Sequence, residues 1–179
     1  MKYEIHTHAE IKNSKTGKWS KVTNYFSLYE IEKEIFKQRG DSPFYSEESS
    51  IFAFLANVEN YDSILPLTIK SRGLPKDVCK EIKADWKNRH FIEECTNPTF
   101  IYLNELNEFD YDRKFITRNK ISKKYGKSSS LTFEPESKGT LISYRDYLGE
   151  MFFKHLQELN ELGDPEDVRI IFWFIDMPF

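Results

Sequence analysis

The chain has 179 residues, a formal net charge of −3 and a sequence pI of about 5.9. This balance disfavours a dedicated duplex DNA-binding protein, which usually carries a strong basic excess, and it is too weakly acidic for a DNA mimic. The length predicts one domain over residues 1–179, and the 16% aromatic content predicts a core of few, large side chains.

The cysteines and the N-terminal sequence indicate a compartment. The first twelve residues lack the apolar segment of a signal peptide, and no run of 18 apolar residues occurs. Cys79 and Cys95 are then expected to be free, packed thiols in a reducing environment. We therefore expect a cytoplasmic protein that does not contact a membrane and needs no cofactor.

The first predicted element is a strand over residues 3–12, where apolar and polar side chains alternate. Tyr3, Ile5 and Ile11 share one face of this strand, and His6 and His8 share the other. A turn at residues 13–19 follows, and the chain can return as a second strand to form a hairpin.

Five segments have helical signals. A helix with a buried stripe is expected over residues 49–58, although a strand is the rival interpretation. Ser143 and Asp146 form a capping box at the start of the longest helix. The other predicted helices are 27–40, 77–89 and 105–110, and the longest lies within 140–163.

The last predicted element is a strand over residues 167–176, which is almost continuously apolar and fits a central strand buried on both faces. Strands at both chain ends, with helices between them, predict an α+β fold. The N- and C-terminal strands would share one mainly antiparallel sheet with helices packed on it. No glycine-rich phosphate-binding motif supports a doubly wound nucleotide-binding fold.

Residues 59–77 form a long irregular segment that contains Pro66 and Pro75. Arg72 and Gly73 lie where a tight turn would bring an arginine to the start of the helix at 77–89. Helix N-termini and arginine both bind anions, so Arg72, Gly73 and Lys76 are candidate ligand-binding residues. The structural alternative is a turn in which Arg72 pairs with a surface carboxylate.

Two aromatic residues complete this candidate site. Tyr61 or Trp173 would offer a stacking face to a nucleotide-like ligand. Asp176, at the end of the last strand, would either point into a cleft or be exposed.

His6 and His8 are candidate metal ligands, because an H-x-H pair on one strand face presents two imidazoles to one ion. The alternative is an exposed polar strand face that carries two histidines. A metal-dependent phosphodiesterase or other hydrolase is therefore an alternative function.

Residues 113–130 contain seven Lys or Arg residues and no acidic residue. This flexible basic segment, a mobile loop or a hairpin, could bind RNA, DNA or nucleotide phosphates. The alternative is a solvated loop without a ligand.

Several short motifs occur in order along the chain: "YEIHTHAEIK", "IFAFLANVENY", "SRGLPKDV", "YLNELNEFDYD" and "EDVRIIFWFID". In this order they resemble a widespread group of small bacteriophage and prophage proteins with the pattern Y-x-x-x-x-x-x-E, then R-G-L-P-x-D, then V-R-x-x-F-x-F-D. This chain departs from the pattern at Glu59, at "TNPTF" and at Ile175.

The resemblance implies phage origin and action inside the infected host cell. We expect an accessory binding protein that counters bacterial defence, either by sequestering a nucleotide-type signal or by blocking a host defence protein. Catalysis is not required by this function, and a homo-oligomer is compatible with the aromatic content.

Overall fold

The computed structural model describes residues 2–28, 39–45, 48–92, 95–117, 119–122, 130–133 and 139–177. The strands of this part are β1 (Lys2–Lys12), β2 (Trp19–Lys21), β3 (Cys95–Tyr102), β4 (Lys114–Thr117), β5 (Asn119–Ser122), β6 (Ser130–Phe133), β7 (Thr140–Ser143) and β8 (Val168–Met177). Its helices are α1 (Ser49–Ala56), α2 (Lys80–Ile92), α3 (Leu103–Glu108) and α4 (Tyr144–Asn160).

The two ends of the chain meet at the centre of the main sheet. Strand β1 pairs antiparallel with the whole of β8, with Ile5 opposite Phe174 and Glu10 opposite Arg169. The order is β2-β1-β8-β3, and every neighbouring pair is antiparallel. The predicted α+β domain with terminal strands in one antiparallel sheet is confirmed.

Strand β8 is buried on both faces because helices cover both sides of the sheet. Phe172 and Phe174 belong to the main core, to which α1 and α4 contribute. Ile171 and Trp173 point to the opposite side and pack in a smaller core beneath α2. The alternation of a strand thus divides one apolar sequence between two cores, as the prediction of a central strand required.

The helices lie close to their predicted positions. Helix α1 confirms the helix that was predicted over residues 49–58 rather than a strand. It ends at Ala56 and is capped by Asn57, which has a φ of 59°. Helix α2 begins at Lys80, three residues later than expected, and α3 begins at Leu103. Most of the helix predicted over 27–40 lies outside the described residues.

The start of α4 follows the predicted capping interaction. The Ser143 Oγ accepts a hydrogen bond from the Asp146 backbone N–H at 3.1 Å. Inside this helix Gly149 has a φ of 76° and a ψ of 170°, which is not helical and produces a kink. The sequence did not predict this interruption.

Most of the described part of the basic segment is strand. Strand β4 pairs with β7, and β5 pairs with β6. The hairpin alternative therefore fits these strands, while residues 123–129 lie outside the described residues.

Residues 59–77 contain no helix or strand, yet their path is held by specific hydrogen bonds. The Asn60 side chain bonds to both backbone groups of Ile64 at 2.9 Å, and the Leu65 N–H donates to the Tyr144 hydroxyl at 2.7 Å. The Gly73 N–H reaches the Pro98 carbonyl at 2.9 Å. The segment is a fixed loop rather than a slack connection.

Among the described residues, no helix combines the length and apolar character that a bilayer crossing requires.

Candidate functional site

A pocket of about 590 Å³ lies between the β1–β2 hairpin and the start of α2. Residues 17–21 and Thr23 form its hairpin wall, and residues 77–81 form the opposite wall. We call it the hairpin pocket. It lies on the α2 side of the sheet, at the end of the irregular loop.

Arg169 is buried next to this pocket and bonds to two carboxylates. Its side chain is 1% exposed, and its Nε donates to the Glu10 carboxylate at 2.8 Å. A second guanidinium nitrogen donates to Asp77 Oδ1 at 2.9 Å. Glu10 and Arg169 face each other because the β1–β8 register makes them cross-strand partners.

Trp19 connects this ion pair to the hairpin. The Arg169 guanidinium carbon lies 3.8 Å from the centroid of the Trp19 ring, a cation–π contact. The indole N–H donates to Asp77 Oδ2 at 2.8 Å. The hairpin, the central strand and the residues before α2 are therefore fixed to one another at the pocket.

Cys79 lines the hairpin pocket, but its thiol is not prepared for nucleophilic chemistry. Its backbone N–H donates to Glu10 at 2.6 Å. Burial, with Glu10 and Glu81 nearby, raises the pKa of the Cys79 thiol to about 12. The thiol is therefore protonated near neutral pH, and the thiolate that reacts is scarce.

The charges around the pocket have both signs. Lys18, Lys21 and Lys80 line it together with Asp77 and Glu81. Partial burial raises the pKa of Asp77, but the hydrogen bonds from Arg169 and Trp19 outweigh this effect and hold the pKa below its ordinary value. Asp77 is consequently a carboxylate already paired with Arg169, and the three lysines supply the remaining positive charge.

Arg72 does not form the open anion clamp that the sequence suggested. Its guanidinium makes a bidentate pair with Glu105, with distances of 2.9 and 2.6 Å. This arrangement matches the other interpretation of the sequence, in which Arg72 pairs with a surface carboxylate. Gly73 has a φ of 74° in the turn, and Lys76 is exposed before the start of α2.

The two aromatic candidates lie on opposite sides of the main sheet. Trp173 is fully buried between the His6 and Trp86 rings, so the expectation that it offers a stacking face is wrong. Its position within an apolar central strand is the physical reason. Tyr61 is 60% exposed and lies near Tyr3, on the main-core side of the sheet.

His6 and His8 share one strand face, as predicted, but α2 covers that face. His8 Nε2 lies 2.9 Å from Asp85 Oδ2, and burial lowers the pKa of His8 to about 4. The described residues contain no group of three His, Cys, Asp or Glu side chains that could hold a metal ion. Both rings pack against Trp173, so this strand face is covered and is not the exposed polar face of the other interpretation.

A second buried polar cluster lies on the main-core side. His155 Nδ1 accepts from the Phe44 N–H at 2.9 Å, and its Nε2 lies 2.8 Å from the Ser27 carbonyl oxygen. Ser27 donates its hydroxyl to Glu158, which also pairs with Arg39 at 2.6 Å. The imidazole meets the carbonyl of Ser27 rather than its hydroxyl, so these residues do not form a nucleophilic triad.

The charged residues of the quoted motifs pair with one another. Glu10, Asp77 and Arg169 come from three separate motifs and meet beside the hairpin pocket. Arg72 and Glu105 join two motifs in the same way. One signal for this site was visible in the sequence: Arg169 is a lone cation in an otherwise apolar buried strand and required an acidic partner.

Comparison of the chain with protein family models, with curated proteins and with solved structures gives no match.

Proposed function

We propose that this protein is a bacteriophage-encoded accessory binding protein that acts in the host cytoplasm. In this proposal it counters bacterial defence by sequestering a nucleotide-type signal in the hairpin pocket. The observation that carries the proposal is a pocket of about 590 Å³ beside a fixed Glu10–Arg169–Asp77 network. Pockets for small ligands commonly span about 300–1,000 Å³ and have a few well-placed polar groups.

The mixed charge of the pocket favours a ligand with two kinds of group. Lys18, Lys21 and Lys80 suit phosphate oxygens, while the carboxylates of Asp77 and Glu81 accept hydrogen bonds from hydroxyl or amino groups. A nucleotide carries phosphates together with a sugar and a base that donate hydrogen bonds. A simple anion would use only the lysines.

The protein's fixed geometry also suits binding. The network ties the hairpin to the start of α2 before any ligand enters, so less ordering is required on association. The protonated Cys79 thiol provides no thiolate nucleophile in the pocket. The motif resemblance adds the expectation of a phage accessory protein.

Calorimetric titration with cyclic dinucleotides, cyclic trinucleotides and ADP-ribose derivatives tests the proposal. A charge-assisted hydrogen bond is worth about 1.5–3 kcal/mol, so Lys21→Ala should weaken binding by about 10- to 150-fold if Lys21 meets a phosphate. Lys154→Ala removes an exposed lysine on α4 and is the matched control. An absence of heat with every nucleotide, or equal weakening by both variants, would contradict the pocket as the site.

A second candidate function is blockage of a host defence protein. The fixed loop exposes three large apolar side chains: Tyr61 at 60%, Leu65 at 47% and Ile69 at 69%. Apolar and aromatic anchors on a preorganised loop are typical of protein interfaces. Affinity purification from infected cells would then recover a partner with the native protein and with Lys154→Ala, but not with Tyr61→Ser/Ile69→Ser.

A further inference from the structure

The outer face of α2 carries a row of lysines that begins at the hairpin pocket. Lys80, Lys83 and Lys87 recur at spacings of three and four residues, which places them along one side of the helix. All three are exposed, and in the part of the chain that the structure describes none of them forms an ion pair. We call them the lysine stripe. A helix rises about 1.5 Å per residue, so the stripe extends about 10 Å along α2 from Lys80, which lines the pocket.

The opposite face of α2 is the one that packs on the sheet. Ile82 is fully buried, and Trp86 meets the Trp173 ring edge-on with a centroid distance of 5.3 Å. Asp85 reaches His8 at 2.9 Å on the same side. The helix is therefore held by its inner face, and the lysine stripe has no part in that packing.

The hairpin adds further positive charge to this side of the molecule. Residues 12–21 contain four lysines and no acidic residue, and residues 76–90 contain five Lys or Arg and three Asp or Glu. Together these two segments have a net charge of +6, which leaves −9 for the remaining residues of a chain with net charge −3. Asp77 and Asp85 are already paired with arginines. The protein is thus acidic as a whole but basic around the pocket, and a polyanion is the complementary partner.

An aromatic pair lies at the other end of the stripe. The His90 ring stacks on Trp86 with a centroid distance of 5.0 Å and an interplanar angle of 13°. His90 is exposed and Trp86 is half-buried. Aromatic faces beside a basic track bind unpaired bases by stacking, whatever the base. The stripe therefore connects two places that suit a base: the hairpin pocket and this aromatic pair.

We propose that the hairpin and α2 bind a single-stranded nucleic acid, with one nucleotide in the hairpin pocket and the following phosphates on the lysine stripe. This inference rests on the proposed function and names the class of its ligand, an oligonucleotide. A base in a duplex is paired and stacked, so it enters a pocket only at the cost of unpairing, whereas an unpaired base is free to do so. RNA and DNA strands share the phosphodiester chain and the unpaired bases that this surface recognises.

The salt dependence of strand binding is the first readout. Each phosphate that is neutralised contributes about −0.7 to the slope of log affinity against log salt for a single strand. Fluorescence anisotropy of the full chain with a labelled strand of about 10 nucleotides measures this slope. An RNA strand, a DNA strand of the same sequence and the DNA duplex are compared, which identifies the preferred source of the strand.

Lys83→Ala/Lys87→Ala is expected to reduce the magnitude of the slope by about 1.4 and to weaken strand binding at least about tenfold at low salt. Neither lysine lines the pocket, so calorimetric binding of a cyclic dinucleotide should not change. Lys114→Ala/Lys154→Ala removes the same charge from exposed positions on β4 and α4 and should leave all of these values unaltered. Alanine is a strong helix former, and unchanged thermal unfolding of each variant shows that the fold is retained.

Three outcomes would overturn the proposal. The first is no binding of either strand at low salt, and the second is equal weakening by the control pair. The third is equal or tighter binding of the duplex, which would remove unpaired bases from the interaction. If the strands fail while the cyclic dinucleotide still binds, this inference is wrong and the proposed function stands; if neither binds, both are contradicted.

Discussion

Arg169 contacts residues of β1, of β2 and of the segment before α2. Its guanidinium is buried, with Glu10 at 2.8 Å and Trp19 stacked against it at 3.8 Å. A buried ion pair contributes little net stability by itself, because desolvation opposes the attraction. Removal of one partner is costly, however, since the other charge then stays buried without compensation.

Arg169→Met is therefore expected to lower the free energy of unfolding by about 3–5 kcal/mol. The side chain of Glu10 is 0% exposed and would lose its counterion, and Asp77 would lose a hydrogen bond. Urea denaturation measures the change as a lower midpoint with a similar slope. The double variant Glu10→Gln/Arg169→Met should recover part of the loss, because the orphaned charge is gone. Equal stability of the single and double variants would argue against a charge effect.

The buried His8 side chain makes the stability of the fold depend on pH. Burial lowers its pKa from 6.5 to about 4, helped by Lys21 and His6 and opposed by Asp85. The unfolded chain binds a proton at higher pH than the folded chain does, so stability is complete above about pH 6.5 and falls as the pH drops toward 4. At about 1.4 kcal/mol per pKa unit, the loss from this residue is about 3–4 kcal/mol.

The free energy of unfolding of the native protein should therefore decrease between about pH 6.5 and 4, and His8→Gln should flatten this dependence. Glu4, Glu10 and Arg89 also lie on the α2 side and remain in the variant. Burial also lowers the pKa of His155, so a smaller slope should persist. Urea titrations at a series of pH values check the difference, and identical slopes for both proteins would show that His8 is not the sensor.

At the scale of elements, periodicity and capping predicted most of the fold. The alternation in β1, the apolar sequence of β8 and the Ser143 cap each depend on neighbours within a few residues. The hairpin pocket depends on contacts between Glu10, Asp77 and Arg169, which are 67 to 159 positions apart in the chain. Local patterns carry no information on such pairs. The sequence therefore predicted a site near the start of α2, but the two aromatic candidates, Tyr61 and Trp173, do not line the hairpin pocket.

Trp173 and Arg72 show which properties a local sequence pattern predicts. The sequence placed it within a strand buried on both faces, and that prediction is inconsistent with a free stacking face. Arg72 was a candidate ligand-binding residue with a surface carboxylate as the alternative partner, and the position of Glu105 on α3 could not be read from local spacing. The hydrophobic pattern of a sequence therefore predicts whether a side chain is buried more readily than it predicts which residue that side chain contacts.

Gly149 lies at the kink of helix α4, and a single substitution tests whether this kink is required. Its φ of 76° and ψ of 170° fall in a region that is essentially restricted to glycine, where a residue with a Cβ costs roughly 1–3 kcal/mol. Gly149→Ala should therefore lower the free energy of unfolding by about that amount, although alanine is the better helix former. Gly163→Ala is the control, because an added Cβ there meets only Ile11 at an ordinary 3.6 Å. Thermal and urea unfolding compare the two variants, and stabilisation by Gly149→Ala would show that the kink is not required.

At the scale of the whole molecule, the first and last strands form the centre of the sheet. Ile5 and Phe174 are direct neighbours across the β1–β8 pair although they lie at opposite ends of the sequence. Contacts between residues so far apart in the sequence require most of the chain to become ordered first, and they slow folding. The same central position protects β8 once folding is complete.

Hydrogen exchange should therefore rank β8 as the most protected element. Its backbone is paired on both edges, and Ile170 to Phe174 are each 0–1% exposed. Their amides are expected to exchange only through global unfolding, with a protection free energy equal to that from urea denaturation. The β4–β7 pair, which has an exposed face, should exchange earlier through local opening. Mass spectrometry of peptides covering 168–176 and 114–117 measures both. Faster exchange in β8 than in β4 would mean that the sheet opens from its centre, contrary to the two-sided packing that holds the ends of the chain together.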